Sequence, residues 1–205
     1  MPLLSNHKNL IWDTKQVAKI IVLYDACVLY PAPLRDLLMH LAMTDLYQAK
    51  WTNTIHDEWI RNVLANRKDL RLSQLTRTKN LMDKHVRDCL IENYEYLIPL
   101  LKLPDPNDRH VLAAAIHSSV SIIVTYNLKD FPERILHDYG IRAQHPDKFL
   151  IQLMELNPNT VCSAIKRLRT SLKNPPVSIS KYLAILEKQS LPQIAKRLGL
   201  LIELL

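Results

Sequence analysis

Short apolar runs alternate along the chain with longer segments in which apolar residues recur at helical spacing. Residues 18–24 form a β-branched run that ends at Asp25, and such a run is typical of a strand buried on both faces. Residues 121–125 predict a second core strand. Weaker strands are predicted at residues 50–52, 96–100 and 140–143. Strands that alternate with helices indicate a parallel, mostly buried α/β sheet.

Helices are predicted between these strands. Residues 34–47 have helical spacing, and a second helix begins with Asn53 or Thr54 as its N-cap. Another helix begins at Asp108, where a turn-rich segment gives way to residues of high helix propensity. A long polar and basic helical region is predicted at residues 69–93.

The pattern changes after residue 147, because the remaining chain has helical periodicity and no convincing strand. We therefore predict an N-terminal extension at residues 1–17, an α/β domain at 18–147 and a helical C-terminal extension at 148–205. The helices predicted for the extension cover residues 147–155, 159–173, 178–189 and 191–204.

The composition is that of an ordinary globular protein, with 48% hydrophobic and 23% charged residues. No uncharged apolar stretch reaches the roughly 18 residues of a membrane span, and no export signal is visible. Cys27, Cys89 and Cys162 are far apart and form no CxxC pair, which disfavours a disulfide framework and a zinc ribbon. We expect a soluble, cytoplasmic protein without membrane association. The net charge of +7 would attract polyanions such as nucleic acid, although many basic proteins bind none.

Four acidic residues fall where open α/β sheets bind ligands, at the carboxyl ends of strands. Asp25 ends the first strand, and Asp130 lies in the segment after residues 121–125. Asp108 opens a helix and Glu58 lies one turn into its own helix, so both can project toward the same edge. Taken singly, the last three also fit plain roles as a turn former, a helix start and a solvated surface residue. Asp25 is the hardest to explain in that way.

Clustered carboxylates repel one another and are normally tolerated only where a cation is bound or protons are shared. Mg²⁺ and Mn²⁺ prefer oxygen ligands and catalyse phosphodiester hydrolysis. The ordered set of acids therefore predicts a divalent metal site, with the choice between one and two ions left open.

Four segments together resemble the PIN-domain ribonuclease family, and in particular the toxins of VapBC toxin–antitoxin pairs. The segments are VLYDACVL at residues 22–29, DEWIRN at 57–62, DPNDRHVLAAA at 105–115 and IVTYNLKDFP at 123–132. The last two are the most specific. The resemblance implies a PIN-like three-layer α/β/α domain with a mostly parallel central sheet, followed by a helical C-terminal extension.

The resemblance also implies an activity and a set of site residues. It implies an endoribonuclease that depends on Mg²⁺ or Mn²⁺, cuts single-stranded or loop RNA, is restrained by a VapB-like antitoxin and forms a homodimer. The family's catalytic and metal-binding acids fall on Asp25, Glu58, Asp108 and Asp130, and its supporting positions fall on Thr125 and Asn127.

Basic residues beside the acids are candidates for binding the RNA backbone. They are Arg61, Arg109 and Lys129. More distant basic residues, each equally consistent with a solvated helix face, are Arg77, Lys79, Lys84, Arg87, Lys166, Arg167, Arg169 and Lys173.

Other enzyme classes fit less well. A haloacid-dehalogenase-like phosphatase needs a second Asp where Cys27 stands, and a receiver domain needs an acidic pair and a late Lys that we cannot place. Cysteine catalysis would need a histidine near Cys27, for which a buried small hydrophobe is the simpler role. The candidate partners are His40, His56, His110 and His117.

The eight histidines show neither HExxH nor HxH spacing, so a zinc enzyme has no support. We expect His56 and His110 to lie at the surface near helix ends. The remaining alternative is a catalytically silent PIN-like module that binds RNA or a protein partner. The presence of all four acids disfavours it.

Overall fold

The computed structural model describes residues 20–204. The predicted N-terminal extension at residues 1–17, and the first two positions of the strand predicted at 18–24, lie outside the described residues. The boundaries proposed between the three parts of the chain stay a prediction. None of the helices within the described range combines the length and apolar character needed to cross a membrane.

Four parallel strands form one sheet in the order β2-β1-β3-β4. The strands are β1 (Ile21–Tyr24), β2 (Gln48–Lys50), β3 (Ile122–Val124) and β4 (Arg142–Gln144). In β1, Val22, Leu23 and Tyr24 are each 0% exposed. Successive strand residues point to opposite faces, so other layers must cover both faces of the sheet. This confirms the predicted three-layer α/β domain.

Helices provide those layers in the first part of the described chain. They are α1 (Ala26–Leu29), α2 (Ala32–Ala42), α3 (Asn53–Asn66), α4 (Leu72–His85), α5 (Arg109–His117) and α6 (Glu133–Leu136). Short 3-10 helices cover Glu95–Leu100, Pro106–Asp108, Leu128–Asp130 and His137–Tyr139. The three alanines of α5 are buried, and their small side chains allow this helix to pack closely.

The chain adds strands on both sides of β1. It places β2 on one side and then, after α3, α4 and α5, places β3 on the other side. The gap between the carboxyl ends of β1 and β3 is therefore a topological switch point, where open α/β sheets bind ligands. Asp25 follows β1 and Thr125 follows β3, so both residues lie at this gap.

The prediction of a strand at residues 96–100 is wrong. Glu95–Leu100 is a 3-10 helix in which Tyr96 and Leu100 are 63% and 72% exposed. Pro99 has no N–H to donate to a neighbouring strand. If this segment joined the sheet, it would gain little: its exposed apolar side chains would stay unburied, and Pro99 would leave a gap in the hydrogen bonds between the strands.

Several element boundaries also differ from the predicted ones. Thr52 caps α3, one residue before the predicted positions, because its Oγ1 accepts a hydrogen bond from Ile55 N at 3.0 Å. The strand β2 ends at Lys50, and α2 ends at Ala42, five residues early. The helix α4 is shorter than predicted because the backbone of Val86 is extended.

His56 and His110 are buried, so the expectation of surface positions is wrong. Trp59 Nε1 donates to His56 Nδ1 at 2.9 Å, and His56 Nε2 lies 2.9 Å from Asp83 Oδ1. Asp83 also accepts from Trp51 Nε1 at 2.8 Å. Burial lowers the pKa of His56 although Asp83 opposes the shift, which favours a neutral ring that carries its proton on Nε2. His56 therefore links α3 to α4 as part of the core.

Helices dominate the described chain after β4. They are α7 (Pro146–Leu156), α8 (Pro158–Ser171), α9 (Ile179–Lys188) and α10 (Pro192–Gly199), with a 3-10 helix at Ile202–Leu204. The helix α8 packs on α2, and α10 packs on α7 and α9. The rings of Tyr47 and Phe149 meet edge to face with centroids 5.2 Å apart. The helical C-terminal region is thus confirmed, and its core is continuous with the core beneath the sheet.

Candidate active site

Asp25 lies at the carboxyl end of β1, directly before α1. Its backbone N–H donates to Val124 O at 3.1 Å, which extends the pairing of β1 with β3 by one residue. The residue is only 4% exposed. Strand pairing therefore fixes this carboxylate at the switch point between β1 and β3.

Two side chains donate hydrogen bonds to the same oxygen of the Asp25 carboxylate. Thr125 Oγ1 lies 2.7 Å from Oδ2, and Cys27 Sγ lies 3.1 Å from that atom. Thr125 Oγ1 in turn accepts from Asn127 N at 2.9 Å. The predicted supporting residues Thr125 and Asn127 are thus connected to Asp25, and the two donors restrict the orientation of its carboxylate.

Cys27 is a polar contact of the site rather than the buried small hydrophobe expected from the sequence. Its Sγ is partly buried, donates to Asp25 and accepts from Tyr126 N at 3.2 Å. Burial, followed by the charge of Asp25, raises the pKa of the thiol well above its usual value. A thiol that stays protonated is a poor nucleophile, so these surroundings argue against cysteine catalysis.

Asp108 immediately precedes α5, at the end of a 3-10 turn. Its Oδ2 atom is buried and has no hydrogen-bond partner among residues 20–204. Burial, and then the negative charges of Asp25, Asp105 and Asp130, raise the pKa of this carboxyl to about 7. His110 acts in the opposite direction. Asp108 therefore lies within electrostatic reach of three other acids.

Asp105 and Asp130 approach Asp108 from two different loops. Asp105 Oδ1 accepts from Asn107 N at 2.8 Å, so this residue forms a turn as well as adding negative charge. Asp130 N donates to Asn127 O at 3.0 Å, and this bond shapes the 3-10 turn that carries Asp130. Asp105 was not among the predicted site residues. Its position one turn before Asp108 was the signal that could have identified it.

Glu58 contacts a residue that the sequence had not assigned to the site. Its Oε1 lies 3.0 Å from His110 Nε2, at an angle that does not make a hydrogen bond. The contact is electrostatic when His110 is protonated, and it connects α3 to the helix that follows Asp108. Among the described residues, no hydrogen bond or ion pair joins Glu58 to the other predicted acids.

The predicted RNA-binding residues differ in their solvent exposure and in the contacts that their side chains already make. Arg61 and Lys129 are exposed, whereas Arg109 is partly buried and its Nε donates to a carbonyl of the preceding turn at 2.9 Å. Lys79, one of the more distant candidates, forms an ion pair with Asp83 at 3.1 Å. The exposed distant candidates are Arg77, Lys84, Arg87, Lys166, Arg167 and Lys173. Exposure permits contact with RNA but does not by itself identify an RNA interface.

The donor set suits a hard divalent ion in its chemistry. The predicted acids supply only oxygen atoms, the ligand type that Mg²⁺ and Mn²⁺ prefer, and no described residue forms a hydrogen bond with Asp108 Oδ2. Within residues 20–204, however, no group of three or more His, Cys, Asp or Glu side chains is arranged closely enough to hold a metal ion. Repulsion between carboxylates whose charge is not compensated favours such a wider spacing.

Comparison with known proteins places this arrangement in a family. Residues 21–129 match the family model described as PIN domain, and residues 146–200 match the model described as VapC50 C-terminal domain. A protein of Mycobacterium tuberculosis (strain ATCC 25618 / H37Rv) named "Putative ribonuclease VapC50" is 39% identical over 90 residues. The match covers 44% of this chain and 53% of that relative, so the chain aligns with about half of the relative's length. No solved structure matches the chain significantly.

The PIN-domain match covers more than half of the 205 residues and confirms the resemblance inferred from the sequence. It includes Asp25, Glu58 and Asp108, whereas Asp130 lies one residue beyond its end. The chain belongs to the PIN-domain family.

Proposed function

We propose that this chain is a metal-dependent endoribonuclease that hydrolyses phosphodiester bonds of RNA. The observation that carries the proposal is the Asp108 carboxyl group, which has a pKa raised to about 7 and a buried oxygen that no residue in the range 20–204 contacts with a hydrogen bond. Its electrostatic neighbours include Asp25 and Asp130. Such a group is unfavourable in the protein alone, and perturbed acids of this kind concentrate at functional sites. A bound cation would neutralise the negative charge of these acids and so remove the energetic cost of placing them close together.

A bound Mg²⁺ or Mn²⁺ would supply positive charge to the scissile phosphate and lower the pKa of a water molecule in the site. Asp25, Glu58 and Asp108 would hold the ion directly or through water. Asp130 would complete the shell or orient the attacking water.

Residues of the chain prepare the site before any ion binds. Thr125 and Cys27 hold one oxygen of Asp25, so that this carboxylate keeps a single orientation. The raised pKa of Asp108 keeps part of its population protonated at neutral pH, and the proton must leave before the carboxylate can bind a cation. The residues proposed to contact the RNA backbone are Arg61, Arg109 and Lys129.

The biological role we propose is that of the toxin in a type II toxin–antitoxin pair. The name of the VapC50 relative and the VapC50-type match at residues 146–200 support it. A VapB-like antitoxin would lay a helix and an extended arm across the site, with an Arg or Lys competing for the carboxylates. A homodimer belongs to the same proposal. Harmless expression of the chain alone, without a co-purifying inhibitor, would count against this role.

RNA cleavage by the purified protein tests the proposed activity. The protein is incubated with single-stranded RNA and either Mg²⁺ or Mn²⁺, beside the variants Asp25→Asn and Asp108→Asn. Each variant should lower the cleavage rate about 100-fold or more, because each removes a charge from the set that would hold the ion. Calorimetric titration with Mn²⁺ in the absence of RNA gives a second readout.

Asp138→Asn is a matched control, because the Asp138 side chain is 79% exposed and lies in the turn after α6. This variant should keep the cleavage rate and the metal binding of the wild type. If the wild type and all three variants behaved alike in both assays, the chain would instead be a catalytically silent PIN-like module that binds RNA or a protein partner.

A further inference from the structure

A cavity of about 500 Å³ lies next to the loop that follows β3, and its size is typical of small-ligand sites. Its lining includes Leu128 and Phe131, which bracket the segment that carries Asp130. Gln144, at the end of β4, forms another part of the wall, and its backbone carbonyl accepts from Thr125 N at 2.9 Å. The cavity and the acidic site therefore share one loop.

Two glutamine residues that line the cavity have side-chain oxygens without a hydrogen-bond donor among the described residues. Gln144 is 5% exposed, and its Oε1 is buried without a hydrogen bond to any described residue. Gln152, on α7, has an Oε1 atom in the same state. A buried amide oxygen without a donor is unfavourable, and native structures rarely leave one unpaired. Both residues line the cavity, and rotation of either side-chain amide would bring its oxygen to a ligand that carries N–H groups.

The charged residues of the cavity suit a ligand that also carries a phosphate. Arg142 and Lys148 are exposed there, against the single carboxylate of Glu133. Arg and Lys side chains bind phosphate oxygens, whereas glutamine amides bind the edges of bases. Leu128 is 42% exposed and offers an apolar surface for a flat ring.

The position of the cavity fits a neighbouring nucleotide of a strand bound at the acids. Tyr24 pairs with Val124, and Val124 pairs with Gln144, so Gln144 is two strands away from the residue before Asp25. Adjacent strands lie about 4.8 Å apart, which gives a separation of about 10 Å along the sheet edge. A base adjacent to the phosphate at the acids can reach the cavity over this distance.

We propose that this cavity is a nucleobase subsite, in which Gln144 and Gln152 accept hydrogen bonds from a base of the RNA while Arg142 and Lys148 bind its phosphate. The subsite rests on the proposed ribonuclease function, because it reads a nucleotide next to the one at the acids. Gln152 belongs to the predicted helical extension, whereas Gln144 belongs to the sheet. Selection of the RNA sequence therefore uses both parts of the chain.

Binding of short RNAs tests the subsite without requiring cleavage. Fluorescence anisotropy in EDTA compares single-stranded RNAs that differ in the base at one position. The wild type should prefer one base, and Gln144→Leu and Gln152→Leu should each reduce that preference about tenfold. Lys148→Ala should instead weaken the binding of all these RNAs alike and lower its salt dependence.

Two controls keep the binding test specific. Gln193→Leu makes the same chemical change at an exposed position of α10 and should leave the base preference unchanged. Thermal unfolding checks that the variants fold. Gln152 is less buried than Gln144, so its variant gives the same test with less disturbance of the core.

The cleavage assay with Mg²⁺ or Mn²⁺ then separates the subsite from the nuclease. If both glutamine variants lose the base preference but neither the wild type nor any variant cleaves RNA, the result supports the nucleobase subsite and contradicts the proposed ribonuclease activity. Normal cleavage without any base preference in the wild type, or with the same preference in both glutamine variants, overturns the subsite.

Discussion

Two aspartates in different regions of the molecule have buried carboxylate oxygens with opposite surroundings. Asp147, at the start of α7, is 2% exposed. Its Oδ2 accepts from Gln193 N and its Oδ1 accepts from Ile194 N, both at 2.9 Å. Asp108, near the sheet edge, has three acidic neighbours and a buried oxygen without a hydrogen-bond partner in the described part of the chain.

The difference separates a carboxylate that joins two helices from the one that we propose to bind a metal ion. Asp147 meets the first N–H groups of α10, where backbone donors lack partners and the helix dipole favours an anion. It thereby joins α7 to α10. Among residues 20–204 no side chain or backbone N–H donates to the buried oxygen of Asp108, so its negative charge is unfavourable there, and we propose that a cation compensates it. The number of hydrogen-bond donors that the described residues offer to the buried oxygens distinguishes the two residues.

The largest effect on stability is expected for Asp147→Ala. The change removes two charge-assisted hydrogen bonds and leaves the backbone N–H of Ile194 buried without its acceptor. The free energy of unfolding, measured by urea denaturation, should fall by about 3 kcal/mol. The exposed control Asp138→Ala should stay within about 0.5 kcal/mol of the wild type. Equal losses in both variants would show that Asp147 does not anchor α10.

Divalent ions should stabilise the sheet edge and leave the α7–α10 contact unaffected. At a Mn²⁺ concentration of 100 times the Kd, the wild type should gain about 2.7 kcal/mol, and EDTA should remove the gain. Asp108→Asn should gain much less, because it loses a proposed ligand, whereas Asp147→Ala should keep the full gain. Thermal unfolding with and without Mn²⁺ measures the gain in stability for the wild type and for each variant. If Mn²⁺ increased the stability of the two variants equally, Asp108 would not be a ligand of the ion.

The raised pKa of Asp108 predicts how stability depends on pH when no divalent ion is present. Between the usual pKa of 3.8 and the folded value of about 7, the folded protein retains a proton that the unfolded chain has lost. Stability therefore falls as the pH rises through this window, and the loss is complete above about pH 7. Asp108→Asn cannot titrate, so it should exceed the wild type there by about 1–2 kcal/mol after allowance for solvent screening.

Urea denaturation at several pH values checks this prediction. The two proteins should converge below about pH 4, where Asp108 is protonated in the folded and the unfolded states alike. A difference between them that does not change with pH would contradict the assigned pKa and would indicate a simple packing effect of the amide.

The smallest effect on stability is expected for Tyr126→Phe. Tyr126 follows β3 and contacts the C-terminal helices, so the variant affects the contact between the sheet edge and those helices. Tyr126 OH donates to Gln189 O at 2.7 Å, and its ring lies edge-on to His145 with centroids 5.1 Å apart. The variant keeps the ring and loses the hydrogen bond, so urea denaturation should show a loss of about 1 kcal/mol. Tyr139→Phe, at an exposed tyrosine, should be neutral. A loss as large as that of Asp147→Ala would show that this single bond anchors the extension.

Local patterns allowed much of the fold to be predicted. The strand before Asp25 and the helix after Asp108 follow from apolar periodicity and helix propensity, and both elements are present. The prediction of a strand at residues 96–100 was wrong, because an apolar pattern does not show whether other residues pack against Tyr96 and Leu100 in the folded protein.

The partners of the site residues were harder to predict. Cys27 contacts Tyr126, 99 positions away in the sequence, and Glu58 contacts His110 across two helices. Neither contact has a signature in local sequence. Asp105 could have been noticed from its proximity to Asp108, but its electrostatic effect depends on how the turn folds.

By itself, the sequence determined the two core strands, the helices near them and the presence of the acids at strand and helix ends, because periodicity and residue type are local properties. Only the tertiary structure decided which carboxylates receive donors. Asp147 receives two backbone N–H groups and Asp25 receives two side-chain donors, whereas Asp108 has an oxygen to which none of the described residues donates. In a buried environment each missing donor raises the free energy of the charged form, so contacts between distant parts of the chain set the chemistry of each acid.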